Sequence, residues 1–327
     1  MLQLALIGVG AWGKNYISTI KSFSDCRIKY LCSKSAKTLQ SFQGEYIKTT
    51  NYKDLFNYSD IDGIIIATPN STHYRISHEF IKRGFNLLIE KPLVENYPQS
   101  LRLKSLQQNS ISRILVGHTH LFDPAYVKTK ELAKSIGPIR YISYEGLNNG
   151  PYRKNTSTLW DVGPHAISLC LDISKKEPIK ISAWALDTLR PKRDFFDLAI
   201  IRIKFFDQTE AFIKISWLFP LRKRELVIIG SKSGIIYDAD ADKRIIYFKN
   251  MIPNTKDINL RKNITEVSYP KYDSKTALEV EIREFIDVVK NDNKISHSDL
   301  DFGVKVTKMI HLAEESIRHS GREIVVG

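Results

Sequence analysis

The chain has 327 residues, 43% hydrophobic and 26% charged, with a formal net charge of +13. That length suits two domains better than one core, and no apolar run approaches the roughly 20 residues a membrane helix needs. The basic residues are spread along the chain, and the densest cluster, Arg222-Lys223-Arg224, is short and lacks aromatic interleaving. Attraction of an anionic metabolite is therefore expected, and nucleic acid is not.

Leu2 to Ile7 reads as a first strand running straight into Gly8-Val9-Gly10-Ala11-Trp12-Gly13, with no basic leader before it, so a signal peptide is not expected. This is a GxGxxG turn with a strand before it and a helix after it. The first glycine permits the turn, the second admits a pyrophosphate, and the third lets helix and strand pack closely. Ile28 to Cys32 is the second strand. It ends Cys32-Ser33-Lys34, without the carboxylate that grips the ribose 2′-hydroxyl of NAD. Ser33 and Lys34 suit a 2′-phosphate, which favours NADP over NAD. Ile61 to Pro69 is a third strand with its exit turn, and Ser71 or Thr72 is placed to cap a helix ending near Gly84.

The apolar run Leu87 to Ile89 then stops at Glu90-Lys91-Pro92. Open α/β sheets bind ligands at the carboxyl ends of their strands, so Lys91 is expected at the mouth of the sheet. A helix starting near Pro98 and a strand from Arg113 to Gly117 complete a doubly wound parallel α/β sheet.

Beyond Gly117 the pattern changes, which predicts domains over 1–118 and 119–327. A helix from about Pro124 to Ile136 is followed by strands at 139–147, 179–188, 196–205, 209–218 and 225–230. Their near-consecutive order implies a large, open, mostly antiparallel sheet, with helices on one face and the other available to a partner subunit. Residues 250–272 read as a polar surface excursion. Two amphipathic helices close the chain. The first carries Leu278, Ile282, Phe285, Ile286 and Val289; the second, capped by Ser298, carries Val306, Ile310, Ala313 and Ile317.

Among the strands, Leu159-Trp160-Asp161-Val162-Gly163-Pro164-His165 places His165 in the first turn of a helix opened by Pro164. A helix N-terminus disfavours imidazolium, so His165 is expected neutral and able to accept a proton. Asp161 lies close enough to orient the imidazole or to approach the same ligand. The three cysteines, Cys26, Cys32 and Cys170, form no CxxC and no metal spacing. Reduced thiols in a cytoplasmic protein are expected, with no metal site.

The glycine loop, Thr68-Pro69, Glu90-Lys91-Pro92 and Asp161-x-x-x-His165, in this order, resemble the Gfo/Idh/MocA oxidoreductases along essentially the whole chain. Trp12-Gly13-Lys14-Asn15, the run from Gly117 to Ala125, and Leu159-Trp160-Asp161 look like the members of nucleotide-sugar and surface-polysaccharide biosynthesis. The resemblance implies an N-terminal Rossmann domain, a C-terminal α/β domain, and dimers or tetramers packed through its sheet. Ser33, where many members have an acid, puts NAD in doubt.

The cofactor residues expected are Gly8, Gly10, Ala11, Trp12, Gly13, Ser33 and Lys34, with Thr68, Pro69, Asn70, His73, Glu90 and Lys91. His165 is assigned as acid and base, Lys91 as oxyanion stabiliser and proton relay, and Asp161 as orienter; Lys91 and His165 could exchange roles. An anionic nucleotide sugar is expected between Lys91 and the His165 helix, its phosphates held by Arg153 and Lys154 and its sugar or base lined by His120 and Tyr126. Two other readings stay open. One is an oxidoreductase of a cyclic polyol or another small carbonyl compound. The other is a non-catalytic dinucleotide-binding sensor, against which Lys91, Asp161 and His165 together argue.

Overall fold

The computed structural model describes residues 1–189, 195–249, 266–291 and 296–327. In chain order the first strands and helices are β1 (Leu2–Ile7), α1 (Ala11–Ile20), β2 (Cys26–Cys32), α2 (Ala36–Gln40), β3 (Ile47–Thr49), β4 (Gly63–Ile66), α3 (Asn70–Ile81), β5 (Leu87–Glu90), α4 (Tyr97–Gln107) and β6 (Ile114–Gly117). There follow α5 (Pro124–Leu132), β7 (Ile139–Asn149), α6 (Thr158–Asp161), α7 (Gly163–Ser174), β8 (Pro178–Leu186), β9 (Leu198–Phe205), β10 (Glu210–Ser216) and β11 (Leu218–Gly230). The last are β12 (Gly234–Asp238), β13 (Ile245–Lys249), β14 (Glu266–Ser268), α8 (Ala277–Lys290), α9 (Leu300–Arg318) and β15 (Ile324–Val325).

One compact unit comprises Met1–Thr119 and Thr276–Lys308. Its six strands run β3-β2-β1-β4-β5-β6, and every pairing is parallel. Strands β4, β5 and β6 are buried throughout, which is why they read as unbroken apolar runs and not as alternation. Besides residues 1–119, this unit takes in residues 276–308, which a cut after residue 118 assigns to the second domain. The reason is packing. Phe285 of α8 is fully buried against the start of β4, where a Cβ on Gly63 would stand 2.9 Å from its ring. In α9, a Cβ on Gly303 would stand 2.7 Å from Val116.

Helix α8 is opened by a capping box: the Thr276 hydroxyl accepts from the Glu279 amide, and the Glu279 carboxylate accepts from the Thr276 amide at 2.6 Å. Thr276→Ala is expected to lower stability by about 1 kcal/mol, read as a lower urea midpoint with unchanged slope.

Two expected caps are corrected. Asp299, and not Ser298, caps α9 by accepting from the Phe302 amide at 2.8 Å. The Ser298 hydroxyl instead donates to the Val116 carbonyl at 2.7 Å, stitching the helix start to β6. Neither Ser71 nor Thr72 caps α3. That helix begins at Asn70 after Pro69, and the Thr72 hydroxyl, already inside the first turn, contacts Thr68 and the Pro69 carbonyl.

The second unit comprises His120–Lys275 and Met309–Gly327. Its described strands form one sheet, β14-β13-β12-β11-β7-β10-β9-β8-β15. The pairings are antiparallel except β10 with β7. One face is covered: Gly146 of β7 sits beneath Val162, and a Cβ on Gly163 of α7 would lie 3.7 Å from Ile215 of β10. The other face leaves Trp184, Ile200, Phe212 and Tyr141 exposed on neighbouring strands, with Trp184 directly opposite Ile200. Of the polar excursion expected over 250–272, residues 250–265 lie outside the described residues, and Glu266–Ser268 is a strand pairing with β13. No helix among the described residues is long and apolar enough to cross a membrane.

Candidate functional site

In the first unit the glycine turn is built by close approach. Gly8 has φ +100°, and a Cβ there would meet the Ala67 carbonyl oxygen at 2.4 Å. A Cβ on Gly13 would meet the Gly8 carbonyl oxygen at 2.0 Å, so helix α1 can lie against the turn only with glycine at that position. Gly10 is different: nothing lies within 4 Å of a Cβ built there, and the residue is exposed. The backbone is thus open at this point of the turn. Helix α1 has no side-chain cap and no acid in its first turn, which leaves N–H groups to an anion.

Beside this turn lies a cavity of about 680 Å³. Six expected cofactor residues line it: Gly8, Gly10, Ser33, Lys34, Thr68 and Pro69. Sequence reasoning missed Thr50, Asn51, Tyr52 and Lys53 after β3, and Arg75 and Glu79 on α3, which also line it. The Arg75 guanidinium stands 5.9 Å from the Tyr52 ring centroid. Strand β3 is only three residues long, and its weak signal hid the loop that follows it.

His73, expected to touch the cofactor, is corrected to a brace. It is fully buried, and its ring nitrogens face the carbonyl oxygens of Pro92 at 2.8 Å and Thr68 at 2.9 Å. Its place on the inward face of α3 sets the ring between the Thr68-Pro69 turn and Pro92, and its single N–H, when neutral, donates to one of the two carbonyls. Burial holds its imidazole below the ordinary range. Asn70 opens α3, and Ala11 and Trp12 open α1. Lys91 is half-buried at the exit of β5, before a cis peptide to Pro92.

Glu90 is buried. Its carboxylate accepts from the Trp12 indole, from the Tyr16 hydroxyl at 2.6 Å, and from the Lys91 amide at 3.1 Å. Burial pushes its carboxyl above the usual range, against the weaker pull of these donors and of the Lys91 charge.

In the second unit His165 lies in the first turn of α7, opened by Pro164. Its ring packs edge-on to His120, with centroids 4.4 Å apart and planes at 84°. Asp161, four residues earlier at the end of α6, accepts from Arg153 Nε at 2.8 Å. So His120 and His165 are brought together, and Arg153 is brought to Asp161. Lys154, the neighbour of Arg153, is exposed.

Tyr126, expected to line a substrate, is corrected. It is fully buried, and its hydroxyl donates to Asp172 at 2.7 Å, the carboxylate that also holds Lys130. A core tyrosine needs such a partner for its hydroxyl. Among the described residues no cluster of His, Cys, Asp and Glu could hold a metal ion, and the three cysteines are free and buried.

Comparison with known proteins follows the same division. Residues 2–118 match the model of an oxidoreductase family with an NAD-binding Rossmann fold, and residues 127–236 match a GFO/IDH/MocA C-terminal domain. An inositol 2-dehydrogenase of Corynebacterium glutamicum is 26% identical over 156 residues, 46% of each chain. The UDP-N-acetylglucosamine 3-dehydrogenase of Acidithiobacillus ferrooxidans is 24% identical over 139 residues, 42% of this chain and 43% of its own. The chain thus spans less than half the length of these curated relatives. A solved structure of the latter enzyme superimposes with a TM-score of 0.84 at 18% identity, covering 97% of this chain and 98% of that one. GenD2 from gentamicin A biosynthesis, in complex with NAD, gives 0.83 at 20% identity, covering 99% and 96%. These two likenesses show the fold.

Proposed function

Because the chain belongs to the Gfo/Idh/MocA oxidoreductase family, we propose that it oxidises or reduces a sugar or nucleotide sugar with a nicotinamide dinucleotide. The observation that carries the reading is the glycine turn closed onto Ala67, with an open α1 N-terminus, in the same unit as Lys91. The residues present fit the dinucleotide: Gly10 leaves room for pyrophosphate, and the cavity beyond it suits an adenosine. When bound, that group supplies the hydride acceptor or donor.

The chain's own residues manage the proton and the charge. His165 takes the substrate hydroxyl proton in oxidation and returns it in reduction. Lys91 stabilises the developing oxyanion. Asp161, tethered by Arg153, orients the reacting hydroxyl. Arg153 and Lys154 attract the diphosphate of a nucleotide sugar. The partner at the open sheet face is a second copy of the chain, supported by the exposed Trp184, Ile200 and Phe212.

NADP is the preferred cofactor. No carboxylate ends β2, and Lys34, Lys53 and Arg75 line the same cavity as Ser33. Lys34→Ala is expected to weaken NADP binding roughly tenfold or more, the worth of one charge-assisted contact, and to leave NAD binding unchanged. Titration of nicotinamide fluorescence with both reduced cofactors checks this, and equal losses for the two would exclude a 2′-phosphate at Lys34.

The function is tested by a panel of nucleotide sugars, matched free sugars and cyclic polyols with both cofactors, read by nicotinamide absorbance. A kcat/KM advantage of about tenfold or more for nucleotide-linked sugars supports the reading. Preference for polyols moves it to the cyclic-polyol activity that the inositol dehydrogenase relative suggests. If neither cofactor binds, both readings fail.

A further inference from the structure

Tyr16 of α1 is fully buried between two carboxylates. Its hydroxyl oxygen lies 2.6 Å from Glu90 Oε1, at the end of β5, and 2.9 Å from Glu281 Oε1, on α8. All three side chains belong to the first unit. A tyrosine hydroxyl carries one proton, and an ionised carboxylate only accepts. One hydroxyl proton cannot satisfy both contacts, so the second needs a proton on one of the carboxyls.

The surroundings decide which. Glu90 has two further donors, the Trp12 indole and the Lys91 amide, and it faces the Lys91 charge. Glu281 is fully buried, and its Oε2 has no hydrogen-bond partner among the described residues. An ionised carboxylate with a bare buried oxygen is costly, whereas a neutral acid is much less so. The groups that bear on Glu281 are Glu90, Tyr16 and the Thr119 hydroxyl. Burial first, then the Glu90 charge, push the Glu281 carboxyl well above the usual range, against the weaker pull of Thr119 and Tyr16.

We propose that Glu281 and Glu90 share a single proton through Tyr16 and that the trio fixes the charge of the Glu90-Lys91 turn. Glu281 holds the proton and donates to Tyr16 Oη; Tyr16 donates its own to Glu90, which stays ionised. The proton belongs to the pair. Glu281 and Tyr16 touch neither substrate nor cofactor in this scheme, so they are positioning residues. They hold the carboxyl pair beside Lys91 at one negative charge, where two ionised carboxylates would place two. The effect on turnover rests on the proposed function; the shared proton does not.

Infrared spectroscopy of the full chain without cofactor, at pH 7, tests the shared proton. A protonated-carboxyl C=O band is expected in the wild type, absent from Glu281→Gln, and shifted to higher frequency in Tyr16→Phe, where its acceptor is gone. No such band, or a band that survives Glu281→Gln, overturns the proposal. The positioning role is read from turnover against pH. Glu281→Gln keeps a neutral donor, so it is expected to hold kcat within about threefold at pH 7 and to lose the alkaline decline set by the pair. Tyr16→Phe, which removes a donor from Glu90, is expected to lower kcat about tenfold. An unchanged alkaline limb in Glu281→Gln refutes the positioning role. If the infrared result holds while no substrate turns over, the proposed function fails and the shared proton stands.

Discussion

Replacing Lys91 with Met or His165 with Ala is expected to lower kcat by about 10²- to 10⁴-fold each while cofactor binding persists. The two substitutions remove different terms. Lys91→Met keeps the length and the apolar stem of the side chain and deletes only the charged donor at the exit of β5. The Glu90 carboxylate keeps the Trp12 and Tyr16 donors, and the backbone amide of residue 91 is unaltered. The glycine turn at Gly8 and Gly10 is untouched. A loss in kcat with little change in cofactor affinity is therefore the mark of transition-state stabilisation and not of binding.

His165→Ala removes the candidate acid and base but also the ring against which His120 packs. His120→Ala is the control for that packing. If His120→Ala falls as far as His165→Ala, the proton is handled by the pair of rings and not by His165 alone. Near-normal turnover in either Lys91→Met or His165→Ala, with the true substrate, would remove that residue from the mechanism. If the two residues act on one reaction as proposed, the double variant is expected to lose much less than the product of the single losses.

The parts of this molecule legible in the sequence are those with a local cause. Gly8 answers to its positive φ, Gly13 to the Gly8 carbonyl and Gly10 to an opening, all within one turn, and a strand–turn–helix context is visible in a single line of sequence; only the approach of Ala67 to Gly8 is long-range. Strands β4, β5 and β6 are buried on both faces, so their apolar runs stood out. The illegible parts depend on long-range partners. Strands β12 to β15 are pieces of two to five residues at the sheet's ends, too short to show a period in sequence; they form because neighbours present an edge. Ser298 looked like a helix cap, but its hydroxyl serves Val116, 182 residues away in sequence. Tyr126 and His73 carried chemistry suited to a site, and burial gave both a structural role. The meeting of Tyr16 with Glu281 joins α1 to a helix 265 residues later, and no spacing rule reaches that far.

Acid lability is expected to trace to His118. The residue follows β6, is buried, and packs edge-on to Phe302 with ring centroids 5.7 Å apart. Its Nδ1 lies 3.0 Å from the Ser298 hydroxyl, whose own proton is committed to the Val116 carbonyl. Ser298 must therefore accept, and neutral His118 must carry its proton on Nδ1. Burial, with the nearby charges of Lys91 and His297, pushes its imidazole down to about 3. In the unfolded chain the same group titrates near an ordinary 6.5. Above that pH both states hold neutral His118 and it has no effect on the balance. As pH falls below it, the unfolded chain takes up the proton first and is favoured. The stability attributable to His118 is therefore lost progressively from about pH 6.5 down to about pH 3, by roughly 2 kcal/mol at pH 5 and 4–5 kcal/mol at the lower end. His118→Asn can still donate to Ser298 but cannot titrate. It is expected to be less stable than the wild type at pH 7, where it loses packing on Phe302, and to close that gap or cross it by pH 5. The carboxylates and His73 are common to both proteins, so the difference between their urea-unfolding free energies at pH 7, 6 and 5 isolates this one group. Parallel curves would show that His118 is not held neutral by the fold.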